Sequence, residues 1–327
     1  MIKRISTILL TAAMMFSMSG CFKAPVPKTS LSQTGRGLEG RSGYTGTSVF
    51  DPVYFPYYQM LSQSAKDAYS YIYDGISQGE TNVKLSSGIT SKDVTEAFNM
   101  VLLDHPELFW VRTDFNYAYV EVTGAVTSVQ FNFYDFASTP EKLTKAKQDF
   151  ERAASAILDG AKQYGTAIEK ELYIHDKINA LAEFDVSAEY SQSAYSVLIT
   201  HRSVCAGYAR AFQYLMQKSG IPCFYCAGTA DGEALEATGG TDSSHSWNLV
   251  RLGNSYCNVD CMWDDSVSNA YGSNQYPFFN LADKDFKYHA RTGQSVNLPK
   301  CNDQSQSYSN RFGKTVEAKD LIFKKEQ

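Results

Sequence analysis

The chain has 327 residues, with 30 Lys and Arg against 35 Asp and Glu and a formal net charge of −5 at pH 7. This mild acidity, without a basic patch or interleaved aromatic and basic residues, argues against nucleic acid as a partner. At 43% hydrophobic residues the chain can fill one large core or two modest ones. No internal repeat is visible.

Lys3-Arg4 precede an apolar run from Ile5 to Met18, and Met18-Ser19-Gly20-Cys21 follows, the layout of an n-region, an h-region and a lipobox-like processing site. Residues 1–21 are therefore read as a lipoprotein signal peptide ending at a lipidated Cys21, although Met18 stands where Leu is more usual. A plain secretory signal is the alternative. The run is shorter than the ~20 residues that a membrane span needs, and no other stretch could cross a bilayer. The expected address is extracytoplasmic, as a membrane-anchored lipoprotein held by its N-terminal lipid. Residues 22–47, with Gly35, Gly37, Gly40, Gly43 and Gly46 spread among Ser, Thr and Arg, form a flexible tether.

Residues 48–164 read as an N-terminal α+β module without a catalytic signature. Tyr58, Leu61, Ala65, Ala68, Tyr69, Ile72 and Ile76 recur at helical spacing, and Val94, Phe98 and Val101 mark a second helix. Leu108–Val111, Tyr117–Val122 and the alternating Val129–Phe133 read as strands. Thr139 and Pro140 open a long helix as cap and first-turn residue. Its apolar positions are Leu143, Phe150, Ile157 and Leu158, and Gly165 ends the pattern. The X-Pro step at His105-Pro106 ends the preceding helix, which accounts for His105 without function. Trp110 likewise needs no ligand, although an exposed aromatic there could hold a peptide or sugar.

Residues 165–300 carry the chemistry, and residues 301–327 are a C-terminal extension. Ile168, Leu172, His175 and Ile178 form a helix expected to pack beneath the one that follows, with His175 a hydrogen-bonded core residue. Cys205 precedes Tyr208, Ala209, Phe212, Leu215 and Met216 at helical spacing, so its thiol should sit at a helix N-terminus, where unpaired N–H groups favour a thiolate. Ser244–Leu252 alternates as a strand with His245 on one face. Gly253-Asn254 makes a turn, and Ser255–Cys261 alternates again, so a hairpin brings His245 and Asp260 onto neighbouring strands.

The three residue types belong together for a reason of protonation. A free cysteine near pKa ~8.5 is mostly neutral at pH 7, whereas an imidazole and a helix N-terminus can lower it to roughly 3.5–7.5. Asp260 would fix the imidazole tautomer and stabilise its charge. Such a thiolate attacks an amide carbonyl, forms a thioester, and has the imidazolium protonate the departing amine.

These segments resemble the transglutaminase-like superfamily, especially its bacterial secreted branch and the kyphoscoliosis-type peptidases. Val204-Cys205-Ala206-Gly207-Tyr208-Ala209 resembles the nucleophile motif and His245-Ser246-Trp247-Asn248 the histidine motif. Val259-Asp260-Cys261-Met262-Trp263-Asp264-Asp265 resembles the aspartate motif, and Tyr276-Pro277-Phe278-Phe279-Asn280 the aromatic-Asn segment that often follows. The resemblance covers about Leu172 to His289. More weakly, Asp104–Trp110 is similar to a companion region of some bacterial members. Cys261 and Met262 depart from the usual aliphatic residue and Thr, and Ser246 from Ala.

The resemblance implies an α+β fold with a papain-like transglutaminase core, a catalytic helix packed on an antiparallel sheet. It implies Cys205 as nucleophile, His245 as general acid and base, and Asp260 as its orienter, with no cofactor. The second oxyanion donor, beyond the Cys205 N–H, has only Gln192 and Tyr195 as candidates by type and proximity. The implied function is extracytoplasmic acyl transfer at amide bonds of envelope proteins or peptides, peptidoglycan peptides among them, by hydrolysis as a peptidase or amidase or by cross-linking to a lysine amine. The alternative is an inert binding or scaffold lipoprotein.

Cys223, Cys226, Cys257, Cys261 and Cys301 are an odd set that disulfides cannot consume completely. Cys223 and Cys226 suggest a zinc or redox site as a third reading, against which they look like the start of a strand, where residues three apart face opposite sides. Asp264-Asp265 lack a calcium loop and are expected to order the loop after Asp260. His201 and His289 carry no assignment, although His201 is close enough in sequence to Cys205 to line the same cleft.

Overall fold

The computed structural model describes residues 50–230 and 244–321. The signal peptide with Cys21 and the tether, as well as the last residues of the C-terminal extension, lie outside the described residues. Among the described residues no helix is long and apolar enough to cross a membrane.

The first half contains α1 (Pro56–Gln59), α2 (Gln63–Ser77), β1 (Asn82–Lys84), α3 (Ser91–Asp104), β2 (Val111–Tyr119), β3 (Val126–Phe133) and α4 (Pro140–Ala161). The strands make one antiparallel sheet in the order β1-β3-β2. Local chemistry sets the helix starts. Thr90 and Asp93 close a capping box on α3, and the Thr139 hydroxyl accepts from the Lys142 N–H with Pro140 at the first turn of α4. Of the strand expected at Leu108–Val111 only Val111 is strand, the first residue of β2, with Leu108–Trp110 in a turn before it, and of Tyr117–Val122 only the residues to Tyr119 belong to β2. Strand β2 bulges between Val111 and Phe115, which pair with Phe133 and Phe131 of β3, where the apolar alternation is weak, and Gly124 at φ +68° turns the hairpin just beyond the strand. Val122, at 94% exposure, lies in that turn rather than in a strand.

The second half contains α5 (Ala167–Leu181), β4 (Glu183–Phe184), β5 (Arg202–Ser203), α6 (Cys205–Lys218), β6 (Cys223–Ala230), β7 (Ser244–Leu252), β8 (Ser255–Val259), α7 (Cys261–Tyr271), β9 (His289–Arg291) and α8 (Tyr308–Arg311). The large sheet is antiparallel in the order β8-β7-β6-β9. The β7–β8 hairpin pairs Leu252 with Ser255 across a turn in which Gly253 adopts φ +62°. The architecture is α+β.

Helix α6 is the axle of the molecule. Every residue from Cys205 to Met216 is buried, so the helix is enclosed all round rather than amphipathic. It packs on β6 and β7, with α4, α5 and α7 on its other sides. Its polar side chains also tie the two halves together. Arg210 donates to the Leu102 carbonyl, and Gln213 Nε2 donates to the Leu103 carbonyl at 2.9 Å, satisfying last-turn acceptors that α3 cannot pair itself. Tyr57 OH donates to the Tyr225 carbonyl at 2.7 Å.

Candidate active site

Cys205 is the first residue of α6, with Val204 in extended conformation as its N-cap. The small residues around it have a packing reason. A Cβ on Gly207 would fall 2.0 Å from Ser203 Oγ and 2.9 Å from the Ser191 carbonyl, so glycine lets the 191–203 segment lie against the first turn of α6.

His245 is the second residue of β7, on the face opposite Asn248. Asn248 holds the strand to the helix by donating from Nδ2 to the carbonyls of Ala209 at 2.9 Å and Phe224 at 3.3 Å. Trp247 Nε1 donates to Asn258 Oδ1 at 3.2 Å, which ties β7 to β8 through side chains as well as backbone.

Asp260 corrects one expectation. The strand stops at Val259, and Asp260 is the N-cap of α7, its Oδ1 accepting from the Trp263 N–H at 3.0 Å. Aspartate is among the best N-caps, and here the cap wins over strand continuation. Asp264 and Asp265 thus lie in the first turns of a helix, not in a loop. The Asp260 N–H donates to the Phe278 carbonyl at 3.1 Å, anchoring the site to the aromatic segment.

With Oδ1 committed to the cap, Asp260 Oδ2 faces His245 Nε2 at 2.5 Å and also His289 Nε2 at 3.0 Å. Burial alone would lower the His245 pKa, but the Asp260 charge and hydrogen bond override it, and Cys205 adds to the push, raising it to about 10. Burial would raise Asp260, yet the two imidazoles, His245 foremost, hold its carboxyl well below the usual range. The other His245 nitrogen, Nδ1, makes no hydrogen bond of ordinary geometry, and Cys205 is the side chain besides Asp260 that raises the ring's basicity. The structure therefore brings together the three residues singled out by sequence. Cys205 is 3% exposed, so its thiol is reached only through a narrow opening or a local movement.

His289 was not assigned by sequence. It lies 29 residues past Asp260 with no motif around it, and only the pairing of β9 with β6 brings it to the carboxylate. His245, Asp260 and His289 place one ligand atom each within 4.8 Å of one another, the composition of a two-histidine, one-carboxylate metal site. Both histidines turn Nε2 on the carboxylate, however, so a metal would have to displace hydrogen-bonded protons at both rings.

The remaining candidates separate cleanly. His175 is fully buried, with Nε2 3.0 Å from Asp264 Oδ2 and Nδ1 3.3 Å from Asp176 Oδ1. His105 and Trp110 are buried at 2% and 4% exposure and present nothing to a ligand, and His201 is an exposed turn residue at φ +60°. Tyr195 stacks on Phe136 with ring centroids 3.9 Å apart, which commits its ring to the first half of the chain. Gln192 neighbours Ser191, whose carbonyl lies against Gly207. Cys223 and Cys226 lie three apart on β6, pairing with Val250 and Trp247, and so face opposite sides of the sheet. All six described cysteines are buried free thiols, and burial pushes those of Cys223, Cys226, Cys257, Cys261 and Cys301 up, which keeps them neutral.

Residues 152–261 match the family model of the transglutaminase-like superfamily core. No curated protein matches the sequence significantly. Among solved structures, a protein of Cytophaga hutchinsonii proposed to be a cysteine protease is 12% identical, with a TM-score of 0.32 over 58% of this chain and 61% of that one. The periplasmic domain of TgpA from Pseudomonas aeruginosa is 13% identical, with a TM-score of 0.30 over 48% of this chain and 62% of that one. A TGase structure is 9% identical, with a TM-score of 0.32 over 46% and 42%. The chain thus spans less than two thirds of each of these structures. The family match ends one residue past Asp260, so it includes the helix, the hairpin and all three candidate residues.

Proposed function

We propose that this chain, whose residues 152–261 carry a transglutaminase-like core, is a cysteine-dependent acyl-transfer enzyme acting at amide bonds. The observation that carries this reading is the placement of His245, with one nitrogen on the Asp260 carboxylate and the thiol of the first residue of α6 as the other group acting on it. In the proposed reaction Cys205 Sγ attacks the amide carbonyl carbon. The C–N bond breaks, His245 gives its proton to the departing amine, and a thioester remains. Gly207 and Tyr208 N–H already donate to the Val204 carbonyl, at 3.0 and 3.3 Å, which leaves the Cys205 and Ala206 N–H groups of the first turn as those suited to the oxyanion. Water then releases an acid and regenerates the thiol, or a lysine amine takes the acyl group as an isopeptide. The signal-like pattern of residues 1–21 supports an address outside the cytoplasm with a lipid anchor at Cys21, and with it envelope proteins or peptidoglycan peptides as substrates.

The 3% exposure of Cys205 favours a second reading, an inert binding or scaffold module in which the trio is structural. Alkylation of Cys205 against pH in the soluble ectodomain, localised by mass spectrometry, separates the two. Reactivity that persists below pH 8 and is lost in His245→Ala supports acyl transfer. A thiol that is unreactive, or that responds identically in both proteins, supports the scaffold.

A further inference from the structure

Asp260 has a second histidine on the same oxygen that meets His245. His289 is held by more contacts than a bystander needs. Its ring centroid is 4.0 Å from Phe286 and 4.4 Å from Trp263, and its side chain is fully buried. Burial lowers its pKa, so the neutral ring carries a single N–H; of the two acceptors it faces, the Lys287 carbonyl 2.8 Å from Nδ1 and the Asp260 carboxylate 3.0 Å from Nε2, the charged carboxylate is the stronger and claims that proton. Its backbone is fixed opposite Ala230, where β9 closes the sheet.

The geometry has a mechanical consequence. A carboxylate held only by its cap bond from Trp263 can still rotate about its Cβ–Cγ bond and swing Oδ2 away from His245. A second donor on Oδ2, mounted on a different strand, removes that freedom. We propose that His289 is a positioning residue for the candidate active site, a hydrogen-bond donor that locks the Asp260 carboxylate in the plane facing His245 Nε2. The inference rests on the acyl-transfer reading, because it concerns the residue that orients the base.

A donor on a carboxylate also favours its charged form, so His289 helps keep Asp260 ionised. Among the described residues the titratable groups facing Asp260 are His245 from β7, His289 from β9, and Cys261 and Asp264 from its own helix, with Cys205 beyond His245. Of these, only the two histidines are hydrogen-bonded to the carboxylate. Losing His289 should therefore move the acid limb of Cys205 reactivity to higher pH, because Asp260 would take up a proton more readily.

The test compares Cys205 alkylation against pH in the full chain for the parent, His289→Gln and His289→Phe, with His245→Ala as reference. The expected result for His289→Phe is a loss of about tenfold or more near neutral pH, the worth of one hydrogen bond to a charged group, with the acid limb displaced upward. Gln, which keeps an N–H donor, should recover most of the rate and the parental limb. A His289→Phe profile that superimposes on the parent overturns the proposal while leaving the acyl-transfer reading intact. A parent indifferent to His245→Ala overturns that reading instead. Should His289→Phe fold poorly, the ¹⁵N and ¹H resonances of the His245 ring in Cys205→Ala, with and without His289→Gln, report on the Asp260 bond directly. Release of the His245 ring from Asp260 in a further His289→Ala comparison, but not in His289→Gln, supports the proposal, and resonances unchanged in His289→Ala overturn it.

Discussion

The described residues include two buried His–Asp pairs, His175–Asp264 and His245–Asp260, whose aspartates are four residues apart on the same helix start, and they differ in what stands beyond the imidazole. In His175–Asp264 the far ring nitrogen meets a second carboxylate, Asp176, so the ring is clamped between acids. Burial would lower the His175 pKa, but Asp176 and Asp264 raise it to about 9, while burial lifts Asp264 to about 6 despite the histidine. Asp264 Oδ1 accepts from the Phe278 N–H at 2.7 Å, and Asp260 N–H donates to the Phe278 carbonyl, so the first pair braces the segment on which the second leans. In His245–Asp260 the far nitrogen has no ordinary partner and the neighbour is a thiol. One pair is complete, and the other has a position left for chemistry.

The comparison breaks most decisively at Cys205 and His245. Cys205→Ala should abolish acyl transfer, and His245→Ala should lower acylation about 10²–10⁴-fold, the usual worth of a positioned acid–base group; a peptide-amide or model-ester turnover assay would measure both. If His245→Ala lost no more rate than a variant of His175, the two pairs would be equivalent and the distinction would fail.

The corresponding change at the other pair should appear in stability. His175→Ala strands Asp264 in the core, and removing one partner of a buried pair costs about 3–5 kcal/mol. Urea unfolding would read this loss, while alkylation of Cys205 per folded molecule should change by only a few fold.

The same pair gives a pH signature. The folded-state pKa of His175, about 9, lies above the ordinary histidine value near 6.5. Its contribution to stability is therefore complete below about pH 6.5 and is lost as pH rises towards 9. The urea midpoint of the parent should decline over that window more steeply than that of His175→Gln. Asp260 has the opposite sign, since its lowered pKa adds stability above about pH 4 that is lost as the solution is acidified below that value.

Asn248→Ala would sharpen the contrast at smaller scale. It leaves the carbonyls of Ala209 and Phe224 without their side-chain donor in the core, at about 1–3 kcal/mol, and loosens β7 against α6. Thr166→Ala, which opens the capping box of α5 beneath both pairs, should cost about 1 kcal/mol and leave Cys205 reactivity unchanged.

Much of this was legible in the amino-acid sequence because local chemistry enforces it. The strand from Ser244 to Leu252, the Gly253 turn, the start of α6 at Cys205 and the Thr139-Pro140 opening of α4 follow from alternation, a positive φ and capping. Where local signals compete, the reading slipped. Alternation carried the strand on to Cys261, but the capping strength of Asp260 ended it at Val259. Around Arg112–Asn116 polar residues interrupted the pattern, yet pairing with β3 on both sides of a bulge made this segment strand, while Leu108–Trp110, expected as strand, turns instead.

The sequence by itself singled out Cys205, His245 and Asp260 in that order as the proposed nucleophile, base and orienter, because a helix start at Cys205 and a strand at His245 are local signals and all three stand in motifs of recognisable order. Only the tertiary structure decided which histidines meet which acids. His175 and Asp264 are 89 residues apart and His289 and Asp260 are 29 apart, and contacts at such separations are set by sheet closure and helix packing, on which the local pattern is silent. For the same reason His289, on the short closing strand, became visible as a partner of Asp260 only once β9 had paired with β6.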